Sequence, residues 1–569
     1  MIKMNTVIGL MALLLWCSTI HAQQNVYINQ VGYQTDQVKK VLTNYQAEKF
    51  EVIDVNSGTV AYQGVFELRT TDDECSGMTI YEGDFSELKA SGEYLIRVQS
   101  PLNSGITSYV FPINNNVYTD VLNKANKALF LQRCGMPIEE KYAGLYARKT
   151  CHTDDCYYHP NCELEGQKNM IGGWHDAGDY GKYTAPGSVT IGLLYTSYEL
   201  NKAQWQSDKW NTPESGNGIP DILDEIRYEL EWLFKMQRAD GAVYEKVHTK
   251  DYVQFIMPSE GDVPQFIYEV SSTATADFAA IMAQSARIYQ EVDEAFAQRC
   301  KAAAIKSYSY LEKHPEVFPE GGFKNPADTK AGGYSDAYDK DERIWAAAEL
   351  YLATGKKKYL KDFNELNKIF NSQFSEAGWI NPSALGFYSL LLADDKHLNN
   401  IQAELKEGLK SYLDHHLEIA KKDGFGIGMQ ANDYTWGSNG TVLFKAINFI
   451  MADYVMNDKE SGVLASRHLD YILGQNPNDI CYVTGVGSRR ILHLHHAPSV
   501  ADLVSEPIPG IMTGGPNKYR NDAALKAIFS EDTPPARVFI DNLESYSSNE
   551  NTIYTNAALQ LVATYLNGR

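Results

Sequence analysis

The sequence lacks several features that would assign it to common protein classes. After residue 22 it contains no run of 18 or more consecutive apolar residues, so no transmembrane helix is expected there. Basic residues are scarce: 51 Lys and Arg face 72 Asp and Glu, which gives a formal net charge of -21. Such a surface repels nucleic acid and anionic lipid, whereas a neutral polysaccharide would not be repelled.

Cysteine is also too scarce for a protein stabilised mainly by disulfides. Seven of the eight cysteines follow residue 22, and this odd number argues against a fully paired framework. Four of them, Cys134, Cys151, Cys156 and Cys162, lie close together in the sequence. This concentration indicates either a metal site or a local disulfide.

Residues 1–22 have the pattern of a signal peptide. Lys3 precedes an apolar stretch, and Ala22 provides a small residue at the expected cleavage point. Cys17 offers an alternative, a lipoprotein anchor, but the bulky Trp16 precedes it where a small residue is expected. We therefore predict a secreted or periplasmic protein with a cleaved signal peptide.

Residues 23–115 and 116–569 differ in their hydrophobic patterns, and a chain of 569 residues favours at least two domains. In the first range, roughly seven short β-rich runs in about 90 residues predict a small β-sandwich. The second range has apolar residues at helical spacing, which predicts stacked helical hairpins. Periodicity alone does not show whether these hairpins close into a ring. The clearest predicted helices cover 221–234, 273–288, 342–354 and 554–566.

The most informative segment is residues 172–183, which read GGWHDAGDYGKY. Asp176 and Asp179 lie three residues apart among glycines, which permit sharp turns and the close approach of a ligand. Aromatic side chains beside acids suit sugar rings, which need both a stacking face and polar partners. A carboxylate in such a place can act as a general base towards water. Taken alone, Asp-Ala-Gly-Asp would indicate only an acidic surface turn.

The complete twelve-residue segment resembles the signature of the family nine glycoside hydrolases, which are mostly cellulases. This resemblance implies that Asp179 is the catalytic base and that Asp176 helps to hold the attacking water. Residues 536–557 resemble the closing motif of the same family. There the resemblance implies that Glu550 is the general acid and that Asp541 is a supporting acid.

The resemblance extends over nearly the whole chain. Residues 29–33, NQVGY, resemble the start of the immunoglobulin-like domain that precedes many family nine catalytic domains. The implied fold is an immunoglobulin-like β-sandwich followed by an (α/α)6 barrel with a cleft at one end. The implied activity is that of an inverting endo-β-1,4-glucanase that needs no catalytic cofactor. Cellulose, mixed-linkage glucan and xyloglucan all stay open as substrates, and we expect a monomer.

Three further residues are candidate substrate contacts. His495 corresponds to a sugar-binding histidine of a His-His-Arg segment, Trp436 to a tryptophan that forms a sugar platform, and Tyr546 is a second candidate contact. The alternatives are a buried structural histidine and a core tryptophan. Ala497 stands where the family has arginine, and a methyl group cannot replace planar guanidinium donors. We expect the change to leave space for a branched glucan.

Two groups of residues are candidate metal ligands. Near Cys134, Cys151 and His175, the sequence offers two thiolates and two imidazoles, which suit a closed tetrahedral Zn2+ site. Several family members have structural zinc with ligands in these parts of the sequence. Cys156, His159 and Cys162 crowd the same segment, so one of them could replace a ligand, or the two cysteines could form a disulfide. The predicted zinc ligands are Cys134, Cys151, His152 and His175.

Residues 336–342, DAYDKDE, form an acid-rich entry to a predicted helix. They resemble the loop that supplies calcium ligands in the family, usually through the adjacent pair that is here Asp341 and Glu342. Oxygen ligands on a loop suit Ca2+. The alternative is that these acids only interact favourably with the helix dipole.

Three other functions stay open at this point. The chain could be a glycan-binding protein without activity, although Asp179 and Glu550 are both present. It could be a zinc hydrolase, but four Cys and His ligands would fill the open position that a catalytic zinc needs. Within the same family, it could be an exo-acting glucosidase or glucosaminidase.

Overall fold

The computed structural model describes residues 25–100, 103–261 and 263–568. The predicted signal peptide, residues 1–22, and the alternative anchor Cys17 lie outside these residues. Within the described part of the chain, no helix has the length and apolar character needed to cross a membrane.

The first part of the chain forms an antiparallel β-sandwich, as predicted. The strands are β1 (Val26–Tyr27), β2 (Lys40–Thr43), β3 (Lys49–Asp54), β4 (Val60–Thr70), β5 (Ile80–Asp84), β6 (Gly92–Ser100), β7 (Asn103–Thr107) and β8 (Phe111–Ile113). Their order in the sheet is β1-β2-β5-β4-β3-β6-β7, and β8 lies beside β6. The long strand β4 connects the two halves, because residues 60–65 pair with β3 and residues 66–70 pair with β5.

The sandwich has its own hydrophobic core. Alternate residues of β3 and β6 point into it, including the buried Phe50, Val52, Ile96 and Val98. The two-residue period places one face of each strand inside and leaves the other face polar. This core is separate from that of the following helices, as expected for an immunoglobulin-like domain.

The second part of the chain is mainly helical, with short strands between the helices. The small strands are β9 (Cys156–Tyr158), β10 (Gln167–Lys168), β11 (Lys182–Tyr183), β12 (Val243–Tyr244), β13 (Lys246–His248), β14 (Phe266–Ile267) and β15 (Val270–Ser271). The α-helices are α1 (Thr119–Leu131), α2 (Glu140–Ala143), α3 (Thr184–Leu200), α4 (Asp221–Met236), α5 (Ser272–Ile288), α6 (Glu294–Lys313), α7 (Lys340–Thr354), α8 (Lys357–Phe370), α9 (Ser383–Leu392), α10 (Asn399–Lys422), α11 (Ser438–Met456), α12 (Lys459–Ile472), α13 (Ala497–Ala501), α14 (Ala523–Ile528), α15 (Tyr546–Asn549) and α16 (Ile553–Leu566).

Six helices form a closed inner ring. In the order α3, α5, α7, α9, α11 and α16, each helix packs against the next, and α16 packs against α3. All but one of the 17 residues of α3 are buried, as expected for a helix that is apolar on every side. Helices α4, α6, α8, α10, α12 and α1 pack outside this ring. The arrangement confirms the (α/α)6 barrel.

Buried polar contacts attach the sandwich to the barrel. Asn29 Nδ2 donates to Asp470 Oδ1 on α12 at 2.7 Å. The Gln30 N–H donates to the Leu473 carbonyl at 2.9 Å, just beyond the same helix. Because buried polar groups need partners, these bonds fix how the two parts meet.

Candidate active site

The loop that carries the two aspartates is closed on itself and packed tightly. The Asp176 N–H donates to the Gly181 carbonyl at 2.9 Å. A Cβ atom on Gly178 would lie 2.2 Å from the His495 carbonyl oxygen, and one on Gly181 would lie 2.3 Å from His248 Cδ2. Both glycines are therefore required because other elements approach the loop backbone closely.

Asp179, the predicted base, is held in its ionised form by contacts to both oxygens. Oδ1 accepts from the Gly181 N–H at 3.0 Å, and Oδ2 lies 3.1 Å from His248 Nε2. Burial alone would raise the pKa of Asp179, but the His248 charge and these hydrogen bonds outweigh it, and the pKa is lowered. The side chain keeps 15% exposure, which leaves it open to water.

His248 is a site residue that the sequence analysis missed. It ends β13, which pairs with β11 directly after the aspartate loop. Its Nδ1 lies 3.1 Å from Thr249 Oγ1, and that hydroxyl donates its proton to the Asp251 carbonyl at 2.6 Å. The ring therefore has a polar partner at each nitrogen, and Nε2 is the nitrogen that faces the carboxylate of Asp179. The only signal in the sequence is a lone histidine in a short β-rich run.

Asp176 has one oxygen with a partner and one without. The Tyr334 hydroxyl donates to Oδ2, whereas Oδ1 is buried and has no partner among the described residues. Burial raises the pKa of Asp176 to about 7, opposed by the Tyr334 hydrogen bond and assisted by the charge of Asp179. Oδ1 is thus an acceptor without a protein donor among the described residues, in the same loop as Asp179. Tyr334 was also missed by the sequence analysis.

Glu550, the predicted acid, directly follows α15. Its Oε1 accepts from the Gly178 N–H at 3.3 Å, which brings it to the aspartate loop. Burial, followed by the negative charge of Asp179, raises the pKa of Glu550 well above its usual value. One carboxyl group is therefore kept protonated and the other ionised, which is the division of states that acid-base catalysis requires.

Asp541 binds backbone rather than facing the other acids. Its Oδ2 accepts from the Leu492 N–H and its Oδ1 from the His493 N–H, each at 2.8 Å. Asn549 Nδ2 is 3.3 Å from Oδ1, and the Asn549 carbonyl accepts from the His495 N–H at 3.0 Å. Asp541 therefore holds together the segment that leads to His495 and the segment that leads to Glu550.

The three predicted substrate contacts lie together. The His495 ring is 5.0 Å from that of Phe255 and 6.1 Å from that of Tyr546, which in turn lies 5.6 Å from Trp436. Trp436 is 50% exposed and Tyr546 is 38% exposed. The core tryptophan and the buried histidine are therefore wrong alternatives, since His495 is only half-buried. Exposed aromatic rings beside carboxylates provide a surface for sugar stacking.

Ala497 does not open space beside the site. It is only 2% exposed, and its N–H donates to the Gly178 carbonyl at 2.7 Å. Its methyl group therefore packs against protein, with no room for a water molecule next to it. The expectation that the missing arginine leaves an opening is wrong, because the aspartate loop closes over this position.

The four predicted zinc ligands converge beside the same loop. All four donor atoms lie within 4.8 Å of one another. Cys134 Sγ is 3.6 Å from His152 Nδ1, which is 3.3 Å from His175 Nε2. Atoms bound at 2.0–2.3 Å to one tetrahedral ion are about 3.3–3.8 Å apart, so this donor set fits Zn2+. The fourth donor is the thiol of Cys151, whose pKa is lowered, first by a hydrogen bond from Cys134.

The neighbouring cysteines are not part of this cluster. Cys156 and Cys162 are both free thiols, and their sulfurs lie near Gln265 Oε1 at 3.8 Å and the Ile267 carbonyl at 3.1 Å. His159 pairs with a carboxylate elsewhere. Both the disulfide and the replacement of a zinc ligand are therefore wrong alternatives.

A second cluster consists of carboxylates at the entry to α7. Oxygens of Asp336, Asp341 and Glu342 lie within 4.8 Å of one another. Both oxygens of Glu342 and both of Asp277 on α5 are buried and have no partner among the described residues. Burial and then the neighbouring carboxylates raise the pKa of Glu342 well above its usual value. Several buried acids without donors fit a hard cation such as Ca2+. Asp277 was not predicted.

Comparison with known proteins agrees with this arrangement. Residues 118–563 match the model of glycosyl hydrolase family 9, and residues 21–101 match that of the cellulase N-terminal ig-like domain. A cellodextrinase of Butyrivibrio fibrisolvens is 35% identical over 94% of this chain and 98% of the relative. A xyloglucan-specific endo-beta-1,4-glucanase of Bacteroides ovatus is 34% identical over 95% and 93%.

Among solved structures, a Zn-binding triple mutant of a family 9 endoglucanase matches with a TM-score of 0.87. It is 30% identical, and the match covers 94% of this chain and 99% of that one. Both the fold and nearly the full length of the sequence are therefore shared with these enzymes. The chain belongs to glycosyl hydrolase family 9 and is a glycoside hydrolase with an N-terminal immunoglobulin-like domain.

Proposed function

We propose that this glycoside hydrolase is an inverting endo-β-1,4-glucanase. The observation that carries the proposal is the pair formed by Asp179 and Glu550. The two acids meet at one loop, and their surroundings move their pKa values in opposite directions. A site with one ionised and one protonated carboxyl group can remove a proton and donate one in the same step.

In the proposed mechanism, Glu550 gives its proton to the glycosidic oxygen as the bond to the sugar breaks. Asp179 removes a proton from water that attacks the anomeric carbon on the opposite face, so the configuration inverts. Asp176 Oδ1, which lacks a protein partner, accepts a hydrogen bond from that water. Asp541 acts on the reaction only by positioning the segments that carry His495 and Glu550.

The proposed substrates are soluble β-1,4-glucans, including cellulose derivatives, mixed-linkage glucan and xyloglucan. Trp436 and Tyr546 supply an exposed aromatic surface beside the site, on which successive sugars can stack. One relative is named as specific for xyloglucan and another as a cellodextrinase. The second name supports an alternative of the same class, an exo-acting enzyme that shortens oligosaccharides from one end.

Viscosity and reducing ends measured together test this proposal. An endo-acting enzyme lowers the viscosity of a soluble β-glucan at low release of reducing ends, whereas an exo-acting enzyme leaves the viscosity high. Glu550→Gln is the control with strongly reduced activity. Release of no reducing ends from any β-glucan would contradict the proposal and favour a glycan-binding protein. The product profile on a panel of glucans then identifies the preferred backbone.

We also propose two structural metals. Cys134, Cys151, His152 and His175 would hold Zn2+, which when bound links the polypeptide beside the aspartate loop. Asp341 and Glu342, together with neighbouring carboxylates, would hold Ca2+. The bound ion would remove the repulsion between the buried acids. Neither ion takes part in the proposed proton transfers. The convergence of the four donor atoms supports the first assignment.

The proposed location is outside the cytoplasm, either secreted or periplasmic, and the proposed state is a monomer. The location follows from the signal-peptide pattern of residues 1–22 and from the polymeric substrate. N-terminal sequencing of the exported protein tests the cleavage site, with Gln23 as the expected first residue. Recovery of a lipidated Cys17 would support the anchored form instead.

A further inference from the structure

A cavity of about 570 Å³ lies at the end of the barrel opposite the acids. Helices α3 and α16 both begin beside the aspartate loop and Glu550, and the cavity lies where they end. Their 17 and 14 residues span about 26 and 21 Å. The cavity is therefore separated from the candidate active site by the full depth of the barrel.

Two tryptophans form one side of this cavity. The rings of Trp205 and Trp210 lie 5.8 Å apart at 59°. Trp205 is buried, and its Nε1–H donates to Ser197 Oγ at 2.9 Å, which fixes the ring. Trp210 is half-buried, and its backbone N–H donates to Asp221 Oδ2 at 2.7 Å. The result is an aromatic wall in which Trp205 is fixed and Trp210 keeps part of its surface exposed.

The other walls are polar but contain no carboxylate among the lining residues. Thr564 is 2% exposed and lines the cavity, yet its hydroxyl has no partner among the described residues. Asn567 Oδ1 at the same wall is also buried without a partner. Buried polar groups in native proteins are normally satisfied, so these two atoms can form hydrogen bonds with a polar ligand in the cavity.

The volume of the cavity and the chemistry of its lining residues together limit the class of ligand that it can bind. The volume falls within the range of small-molecule and oligosaccharide sites, about 300–1,000 Å³. A sugar hydroxyl both donates and accepts, so it can satisfy the Thr564 hydroxyl and the Asn567 amide oxygen. Stacking on Trp210 requires a flat ring with an apolar face. Lys127 and Lys209 are the charged groups among the lining residues, and amides and hydroxyls form most of the remaining polar lining.

We propose that this cavity is a second, non-catalytic glycan site that binds a neutral β-glucan oligosaccharide. Such a site would hold a neighbouring part of the polymer while the cleft at the other end cuts it. Only the choice of β-glucan rests on the proposed function. The site can therefore be tested in a variant that does not hydrolyse its substrate.

Affinity electrophoresis of the full chain in gels that contain soluble β-glucan provides the test. All variants carry Glu550→Gln, so the polymer stays intact and the cleft contributes equally to each. We expect Trp210→Ala to weaken retardation by about tenfold, as removal of a central aromatic contact typically does. Tyr454→Ala is the matched control, because Tyr454 is 46% exposed near the end of α11 and does not line the cavity.

Thr564→Val keeps the test informative if the tryptophan variant fails to fold. It keeps the shape of the side chain and removes a hydroxyl without a partner, so it should leave the melting temperature unchanged or higher. We expect it also to weaken retardation. In the active enzyme, neither variant should change the hydrolysis rate of a short soluble cello-oligosaccharide.

Unchanged retardation in both Trp210→Ala and Thr564→Val would overturn the proposal. Retardation by polygalacturonate alone, lost in the same variants, would overturn the neutral ligand and assign an acidic one. A third outcome separates the two proposals. If Trp210→Ala and Thr564→Val weaken retardation but the enzyme with Glu550 intact hydrolyses no β-glucan, the second site is supported and the proposed function is contradicted.

Discussion

His248 Nε2 lies 3.1 Å from Asp179 Oδ2, and Nδ1 of the same ring lies 3.1 Å from Thr249 Oγ1. The histidine ring thus contacts the residue that we propose as the catalytic base. This contact opposes the effect of burial and keeps the pKa of Asp179 below its usual value. The protonation state of the proposed base therefore depends on a residue from a separate strand.

Replacing His248 by Gln should move the acid limb of the pH profile to higher pH. Without the contact to His248, burial dominates and the pKa of Asp179 rises, so the base becomes protonated at a higher pH. The measurement is kcat/KM against pH, which reports the free enzyme. His493→Gln is the control, since only its backbone N–H binds Asp541. An acid limb at the same pH in both variants would contradict the role of His248.

Asp179→Asn and Glu550→Gln should each lower turnover by about 10²–10⁴-fold, the usual value of one acid-base step. Retention of more than about a tenth of the activity would be incompatible with the assigned role. Reducing-end assays with a soluble β-glucan measure the loss. Circular dichroism should show that both variants stay folded.

The Glu550→Gln variant should also change the thermal stability of the protein in a pH-dependent way. Because burial raises the pKa of Glu550 in the folded state, this carboxyl group costs stability once the pH exceeds its unfolded value, near 4.5. The melting temperature of the variant should match that of the parent near pH 4 and exceed it at pH 7. A lower melting temperature at pH 7 would show that Glu550 is stabilised by contacts other than those described.

The first product formed should be the α anomer, because water attacks from the face opposite the leaving group. NMR of fresh hydrolysate distinguishes the two anomers before they interconvert. A β anomer formed first would indicate a retaining mechanism, and with it a nucleophile in place of the proposed base.

Loss of the zinc site should destabilise the protein. Cys151→Ser removes one of the four donors. Loss of a structural metal is among the largest destabilising changes, and it should lower the free energy of unfolding by an amount of the order of 4 kcal/mol. Activity should fall with it, because His175 directly precedes Asp176 in the aspartate loop. Cys156→Ser is the control, since that thiol lies outside the cluster. Absence of zinc by metal analysis of protein prepared without chelator would end this proposal.

Much of the helical domain could be predicted from local patterns. Helix α4 begins at Asp221, directly after Pro220, and α7 ends at Thr354 before Gly355, which has a φ of 65°. Proline and glycine act locally, so their positions mark helix ends reliably. Closure of the ring was not predictable from periodicity, because a buried face does not specify which helix will cover it.

The candidate site also contains residues that local sequence patterns predict and residues that they do not. Asp176, Asp179 and Glu550 lie in segments with a recognisable local pattern. His248, Tyr334 and Asp277 come from separate elements and have no pattern around them, so only the tertiary structure brings them to the acids. The prediction for Ala497 was wrong for a related reason: the sequence does not show that another loop packs over a missing side chain.

The carboxylate cluster at α7 permits a direct test of calcium against the helix dipole. If Asp341 and Glu342 hold Ca2+, the ion should raise the free energy of unfolding by about 2.7 kcal/mol at one hundred times its Kd. If they only face the helix dipole, calcium should have no effect beyond that of ionic strength.

Thermal unfolding in calcium and in chelator, at equal ionic strength, measures the difference. Glu342→Gln and Asp277→Asn should each reduce the calcium-dependent shift, because both residues have buried oxygens without protein partners. Glu294→Gln is the matched control, since Glu294 is an exposed acid in the first turn of α6. An equal calcium shift in all three variants would exclude this cluster as the binding site. The dependence on Asp277 is the sharpest part of the test, because the helix dipole of α7 gives no reason for a residue on α5 to matter.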